Sequence, residues 1–339
     1  MKLKQSYKKW LVLIFVALLF VLVGCSTRKG VDAAGNEITI IDRVAFTVFG
    51  RNIYWYAICI ITGIALAYAY GLIVAKKIGF KEDDLIDGFI IGVLVGILGA
   101  RLYYVIFAWK DGGYASDPLR IITGFINEEG GLAIHGAVFA VAIFVFFYWR
   151  KRKFDIYKLG EMLAPGFMIG QIVGRWGNFF NQEAHGGPIS KSLAEGRAFL
   201  ERLHLPDFII DQMLISDSSY YAAIDSATRN YMHPTFLYES LWNLLGLTIV
   251  LVARRFWKKY WLGDAVLFYM FWYGIGRFFV ESLRTDYLPL RIFGMELRVA
   301  QVVSVLMVLG CLVLFILRRV FRFHPVSYLD ALAENKKAN

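Results

Sequence analysis

Charge is scarce in this sequence. Asp, Glu, Lys and Arg supply only 19% of its 339 residues, against about 25% in an average soluble domain. Cysteine is scarcer, at three residues, too few for a disulfide scaffold. No Cys-x-x-Cys or Cys/His spacing offers a metal site, and no motif calls for a cofactor. What is plentiful is apolar surface: 58% of residues are apolar and 17% aromatic, with mean hydropathy +0.53. One soluble core cannot hide that much, so a water-soluble globule and a disordered chain are both excluded. The remaining class is an all-α polytopic membrane protein. The net charge of +10 is then no argument for a nucleic-acid partner, because Lys and Arg collect in cytoplasmic loops of such proteins.

A bilayer core needs about 20 apolar residues per helix. Seven stretches qualify, near 53–75, 85–108, 131–149, 159–180, 235–253, 262–283 and 299–317. They lack the alternation of a β-barrel. Basic clusters follow every second boundary: Lys76, Lys77 and Lys81; Arg150 to Lys153; Arg254, Arg255, Lys258 and Lys259; Arg318, Arg319 and Arg322. That alternation puts the start of the first span outside and the C-terminus in the cytoplasm. The expected organisation is a signal-like segment at 1–25, an outer-face segment at 26–52, a seven-helix domain at 53–320 and a cytoplasmic tail at 321–339. Residues 182–234 are too polar for lipid and form an outer-face excursion.

The N-terminus carries Lys2, Lys4, Lys8 and Lys9, then an apolar run from Trp10 to Val23. The run is short for a span and right for a signal-peptide core. It closes on Leu22-Val23-Gly24-Cys25, which resembles a lipobox, the site where bacterial lipoproteins are lipidated and cleaved. Cys25 is therefore a candidate lipidation site, beside the simpler reading of an uncleaved anchor. Cys59 and Cys311 lie inside apolar runs and read as packing residues.

Ionisable residues inside spans are costly and so mark function by default. They are Asp87, Arg101, His135, Glu161, Arg175, Glu239, Asp264, Arg277 and Glu281. Asp87, Glu161 and Asp264 fall near helix ends, where solvation or capping accounts for them. The densest group is Gly174-Arg175-Trp176-Gly177-Asn178-Phe179-Phe180-Asn181-Gln182-Glu183, followed by Gly186. Arg175, Asn178 and Asn181 recur every third residue and form a donor-rich side suited to a phosphate. Helix packing would explain the glycines but not the arginine. In a second group Tyr273, Arg277, Glu281 and Arg284 share a helix face. Arg277 and Glu281 either neutralise each other or present an oriented guanidinium to an anion. His135 is a structural donor or a proton acceptor working near neutral pH. For His233 to Glu239, and for Tyr54-Trp55-Tyr56, an ordinary interfacial role stands beside a functional one.

The string Gly-Arg-x-Gly-Asn-x-x-Asn-x-Glu-x-x-Gly from Gly174 to Gly186 resembles the signature of the prolipoprotein diacylglyceryl transferase family. The His-Gly pair at His135, the His-Pro-x-x-Leu-Tyr-Glu block at His233–Glu239 and the Tyr-Gly-x-x-Arg-x-x-x-Glu-x-x-Arg block at Tyr273–Arg284 follow in the family's order. The resemblance spans about residues 45–320. It implies a transferase of the bacterial plasma (inner) membrane, which moves the diacylglyceryl group of phosphatidylglycerol to the lipobox cysteine of lipoprotein precursors. By that likeness His135, Arg175 and Arg277 are catalytic. Tyr56, Asn178, Asn181, Glu183, Gly186, Tyr273, Glu281 and Arg284 then form the substrate site. Ala137-Val138 stands where the family has Gly-Leu, and residues 1–40 and 187–232 match no family motif. An anionic-lipid or solute transporter, using the arginines for binding alone, is the alternative.

Overall fold

The computed structural model describes residues 27–31, 37–109, 113–114, 116–122, 131–216, 229–284, 288–292 and 295–338. Cys25 and the signal-like run lie outside them. Helix dominates. Long apolar runs form α1 (Trp55–Ile78), α2 (Glu82–Phe107), α3 (Ile134–Arg152) and α4 (Ile156–Asn181). Two short helices follow, α5 (Leu193–Arg202) and α6 (Asp207–Gln212). The remainder are α7 (Thr235–Phe256), α8 (Asp264–Leu283), α9 (Val299–Val320) and α10 (Tyr328–Ala338). Four of them, α1, α2, α7 and α9, are long and apolar enough to cross a membrane. The other three long helices, α3, α4 and α8, have 19, 26 and 20 residues. Of these, α4 and α8 carry the ionisable groups Glu161, Arg175, Arg277 and Glu281.

The all-α expectation needs amending, because four two-stranded antiparallel hairpins accompany the helices. They pair β1 (Thr27–Val31) with β2 (Glu37–Ile41) and β3 (Val44–Val48) with β4 (Arg51–Tyr54). Further along, β5 (Leu214–Ser216) pairs with β6 (Arg229–Tyr231), and β7 (Pro289–Ile292) with β8 (Met295–Arg298). At the β3–β4 turn Phe49 and Gly50 have φ of 49° and 78°. Two positive φ values give the backbone twist that a two-residue hairpin turn needs.

The chain divides into two compact units. The first draws on Met1–Ala67, Phe167–Leu251 and Leu267–Leu317, and the second on Tyr68–Gly166, Val252–Val266 and Arg318–Asn339. In the first, Ile38, Ile40 and Ile41 of β2 are buried with Leu200, Ile209, Ile210, Met213 and Tyr231. Two side chains at the end of α6 fix the hairpin edge. The Thr39 N–H donates to Asp211 Oδ2 at 3.0 Å, and the Ile41 N–H donates to Gln212 Oε1 at 2.8 Å. Gln212 Nε2 in turn donates to Phe180 O at 3.3 Å. Stranding a buried donor costs about 1–3 kcal/mol. Gln212→Ala is therefore expected to speed hydrogen exchange at the Ile41 amide about 10–100-fold. An unchanged rate would show that the apolar contacts alone hold the hairpin.

Elsewhere in this unit α7 and α8 are clasped by two stacked indoles. The Trp242 and Trp272 rings are 4.0 Å apart. Trp242 Nε1 donates to Trp272 O at 3.0 Å, and Trp272 Nε1 to Trp242 O at 2.9 Å. Gly246 and Gly276 make the room: a Cβ on either would approach the opposing indole to 2.5 Å.

In the second unit Glu161 is wholly buried. Its carboxylate accepts from Tyr260 Oη at 3.0 Å and from the N–H groups of Gly263 at 2.8 Å and Ala265 at 3.3 Å. It thus caps the start of α8 from the flank of α4, where the sequence had placed it near its own helix start. Asp264 pairs with Arg318 at 2.8 Å and with Arg319. Asp87 sits in an exposed pair with Arg152. Arg101, a functional candidate by sequence, instead holds a loop: it donates to the carbonyls of Ile121, Arg120 and Gly131 at 2.9, 2.8 and 3.1 Å. The C-terminal α10 is anchored by Asn335, which donates to Lys76 O at 2.9 Å.

Candidate active site

The polar cluster of the first unit is assembled by three helix ends. At the end of α4 the chain turns through Gln182 and Ala184, both with positive φ. The Glu183 N–H donates to Asn178 O at 3.0 Å. This fold-back lets Asn178 Nδ2 donate to Glu183 Oε1 at 2.8 Å. Gly177 is needed because a Cβ there would lie 2.9 Å from Tyr56 Cδ2. With only hydrogen at that position, the Tyr56 ring lies against α4. Its phenol is then within electrostatic reach of Glu183 and Arg175.

Arg175 reaches across to α7, with Nη2 2.6 Å from Glu239 Oε2. On α8, Arg277 Nη2 lies 2.7 Å from Glu281 Oε2, one helical turn away. Glu239 is only 7% exposed and feels the charges of Arg175, Arg277, Arg284 and Glu281. The two conspicuous motifs therefore lie within electrostatic reach of one carboxylate, Glu239. Three guanidiniums, those of Arg175, Arg277 and Arg284, act on Glu239, and Glu281 lies beside Arg277. Glu239 Oε1 and Asn181 Oδ1 are buried without a hydrogen-bond partner. Each can accept from a substrate donor.

The backbone keeps the three helix ends together. The Gly186 N–H donates to His233 O at 3.0 Å, the Gly187 N–H to Leu283 O at 2.7 Å, and the His233 N–H to Gly187 O at 3.1 Å. Thr235 Oγ1 donates to Ala184 O at 2.7 Å. A Cβ on Gly186 would come within 2.7 Å of His233 Cβ, so this residue is a joint between segments. Burial lowers the pKa of His233 below its usual value, which favours the neutral ring. At the end of α8, Arg298 donates to the carbonyls of Glu281 and Arg284. Tyr273, one turn before Arg277, packs its ring 6.1 Å from that of Tyr269.

His135 belongs to the second unit, as the second residue of α3, with an exposed side chain. Its ring centroid is 6.1 Å from that of Tyr103. The adjacent Gly136 is required by close packing, since a Cβ there would overlap the Gly99 carbonyl oxygen and Tyr103 Cβ. The Ala133 N–H donates to Ala100 O at 3.1 Å, so the entry to α3 is strapped to α2.

Sequence reasoning named Glu239 among the ionisable groups of the spans but did not place it with the substrate-site residues. The signal was present, as an ionisable group inside an apolar run, but its partners lie on other helices and no spacing rule reaches them.

Spanning-length helices with arginines and carboxylates drawn together at their ends define a multi-pass membrane protein with a charged internal site. The family model for prolipoprotein diacylglyceryl transferase matches residues 43–317. A phosphatidylglycerol–prolipoprotein diacylglyceryl transferase of Halalkalibacterium halodurans is 40% identical over 290 residues, 86% of this chain and 91% of the relative. The proteins of that name from Enterococcus faecalis and Bacillus cereus strain Q1 are 41% and 42% identical, covering 82% and 87% of this chain and 91% and 98% of themselves. The chain belongs to the prolipoprotein diacylglyceryl transferase family, and it is a transferase.

Proposed function

We propose that this enzyme transfers the diacylglyceryl group of phosphatidylglycerol to the lipobox cysteine of lipoprotein precursors, the first step of their maturation. The observation that carries the reading is the pairing of Arg175 with Glu239 at 2.6 Å, with Arg277 within electrostatic reach of the same carboxylate, in a chain of this family. The reaction forms a bond from the cysteine sulfur to the glyceryl carbon and breaks that carbon's bond to the phosphate oxygen. Glycerol phosphate departs with the electron pair. Its growing charge is met by Arg175 and Arg277, oriented by Glu239 and Glu281. Preorganised charge in a water-poor site is worth far more than in water. Asn178, held by Glu183, Asn181, Tyr56, Tyr273 and Arg284 complete the substrate site. Gly186 serves it indirectly, as the joint between helix ends. A thiol with pKa about 8.5 is mostly protonated at neutral pH, and His135 accepts its proton.

The membrane arrangement belongs to the same proposal. Seven helices, α1 to α4 and α7 to α9, cross the bacterial plasma membrane. The start of α1 and the segment 182–234 face outward, and α10 faces the cytoplasm. The Lys and Arg clusters after α1, α3, α7 and α9 support this sidedness.

The test is transfer from labelled phosphatidylglycerol to a lipobox peptide by the purified enzyme. Label on the thiol, with released glycerol phosphate, is the expected result. Lipid binding without headgroup release would instead mean a transporter. His135→Asn is expected to slow transfer and remove the acid limb of its pH profile; an unchanged profile would return His135 to a structural role.

A further inference from the structure

We infer that Asn243, with Gln171 on the neighbouring helix, reads the free hydroxyl groups of the lipid headgroup, so that the enzyme selects a polyol phosphate over other anionic lipids. The inference rests on the transferase reading above and adds to it the residues that choose the donor lipid.

The polar interior of the first unit does not stop at the Arg175–Glu239 pair. The end of α4 joins the start of α7, where Thr235 Oγ1 donates to Ala184 O. From there the two helices run in opposite directions: Arg175 pairs with Glu239, and Ser240 Oγ donates to Ile172 O at 2.8 Å. Four residues further along each helix stand Gln171 and Asn243. Four residues are about one turn, or about 6 Å of rise, and residues so spaced share a helix face. Both carboxamides therefore extend the side that carries the ion pair. On α8, Tyr273 and Tyr269 continue in the same way from Arg277, and Gln171 Nε2 donates to Tyr269 Oη at 3.0 Å.

The balance of donors and acceptors identifies the ligand chemistry. Asn243 is only 5% exposed, and its Nδ2 donates to Glu239 O at 2.8 Å. A backbone carbonyl can only accept, so this bond fixes which way the amide is turned. Its Oδ1 is buried with no hydrogen-bond partner among the described residues, and so is Gln171 Oε1. Glu239 Oε1 and Asn181 Oδ1 share that condition. An acceptor buried without a donor is unfavourable, and each such group calls for a reason. A phosphate supplies none, because it only accepts and is matched to the arginines. The ligand that accounts for both sets of groups carries hydroxyl donors next to a phosphate. The headgroup glycerol of phosphatidylglycerol carries two. An ammonium headgroup also has donors, but it would bring a cation against the three guanidiniums that act on Glu239. The bonds made and broken in the transfer are unchanged, and the hydroxyls depart with the glycerol phosphate.

The test measures transfer to a lipobox peptide by the purified full chain from three lipids with the same acyl chains. Phosphatidylglycerol has two headgroup hydroxyls, phosphatidylpropanediol one and phosphatidylpropanol none. The wild type is expected to prefer phosphatidylglycerol to phosphatidylpropanol by about 100-fold in kcat/KM, because a site built to bond a hydroxyl rejects the analogue without it. Asn243→Leu should bring that ratio below about 10-fold, chiefly by slowing phosphatidylglycerol, and Gln171→Leu should lower it less. Ser240→Ala, which loosens α7 from α4 without touching the acceptors, should leave the ratio as it is. A ratio does not depend on how much enzyme is folded, so a merely structural role for Asn243 would not move it. Equal wild-type rates on the three lipids, or a parental ratio in both Leu variants, overturn the inference and leave the transferase reading standing. A wild type that transfers from none of them overturns that reading. Native mass spectrometry of retained lipid then decides the subsite by itself: preferential retention of phosphatidylglycerol, lost in Asn243→Leu, supports it, and equal retention of the three overturns it.

Discussion

Arg277→Gln is expected to lower transfer to a lipobox peptide by on the order of 10²–10³-fold, mainly in kcat, while lipid binding weakens less. Gln keeps a polar donor on a shorter side chain but removes the charge proposed to meet the departing phosphate. The loss should be largest at the reacting step, where that charge grows. Arg175→Gln should behave alike, with one difference set by its partner. Arg175 and Glu239 pair across two helices at 2.6 Å. Removing the arginine therefore strands a carboxylate that is only 7% exposed. Losing one member of a buried pair costs about 3–5 kcal/mol, because the survivor is an uncompensated charge. Arg175→Gln should consequently also lower accumulation of folded protein. The double variant with Glu239→Gln should recover part of that loss but none of the turnover. Steady-state kinetics on the single and double variants read this directly. Full additivity of the two single effects on folding would deny the pairing, and near-normal turnover in either arginine variant would sink the phosphate-binding role.

The second large effect concerns Glu161, in the unit that does not contain Arg175 and Arg277. Replacing it with Ala removes the acceptor for the Gly263 and Ala265 amides and for Tyr260. Leaving buried donors unsatisfied costs about 1–3 kcal/mol each. With partial relaxation the total is on the order of 3 kcal/mol. A change of that size lowers Tm by about 6–12 °C in a domain of 150–250 residues. Glu161→Gln keeps one acceptor oxygen and should lose about half as much. Thermal unfolding in nanodiscs, followed by tryptophan fluorescence, separates the two variants. An Ala variant with the parental Tm would mean that water replaces the carboxylate and that α8 needs no cap from α4.

Much of this architecture was legible because a bilayer imposes long, uniform apolar runs. The helices α1, α2, α7 and α9 follow from hydropathy alone. Arginines within such runs stood out for the same reason: burying a charge is expensive, so each one invites an explanation. The hairpins were not legible. Their strands are three to five residues long, too short for alternation to rise above the surrounding sequence. The pairing of β2 with α6 joins residues 171 and 172 positions apart, and no local pattern encodes it. Glu239 illustrates the limit within the site. Its residue type and setting were visible, whereas its surroundings depend on Arg175 pairing with it and Arg277 lying within electrostatic reach, each from another helix. Arg101 shows the converse. Like Arg175 it is an arginine in an apolar run, but three carbonyl oxygens already occupy its guanidinium.

The tryptophan clasp between α7 and α8 has a consequence for timing. Glu239 rides on one of these helices, and Arg277 and Glu281 ride on the other. Each indole is bonded to the backbone that carries its counterpart, so neither helix can rotate alone without breaking two hydrogen bonds and a ring stack. Under the proposed reaction, Glu239, Arg277 and Glu281 are thus held in one arrangement before any lipid arrives. The energy of lipid binding need not be spent on collecting them and remains available for the step in which the carbon–oxygen bond breaks.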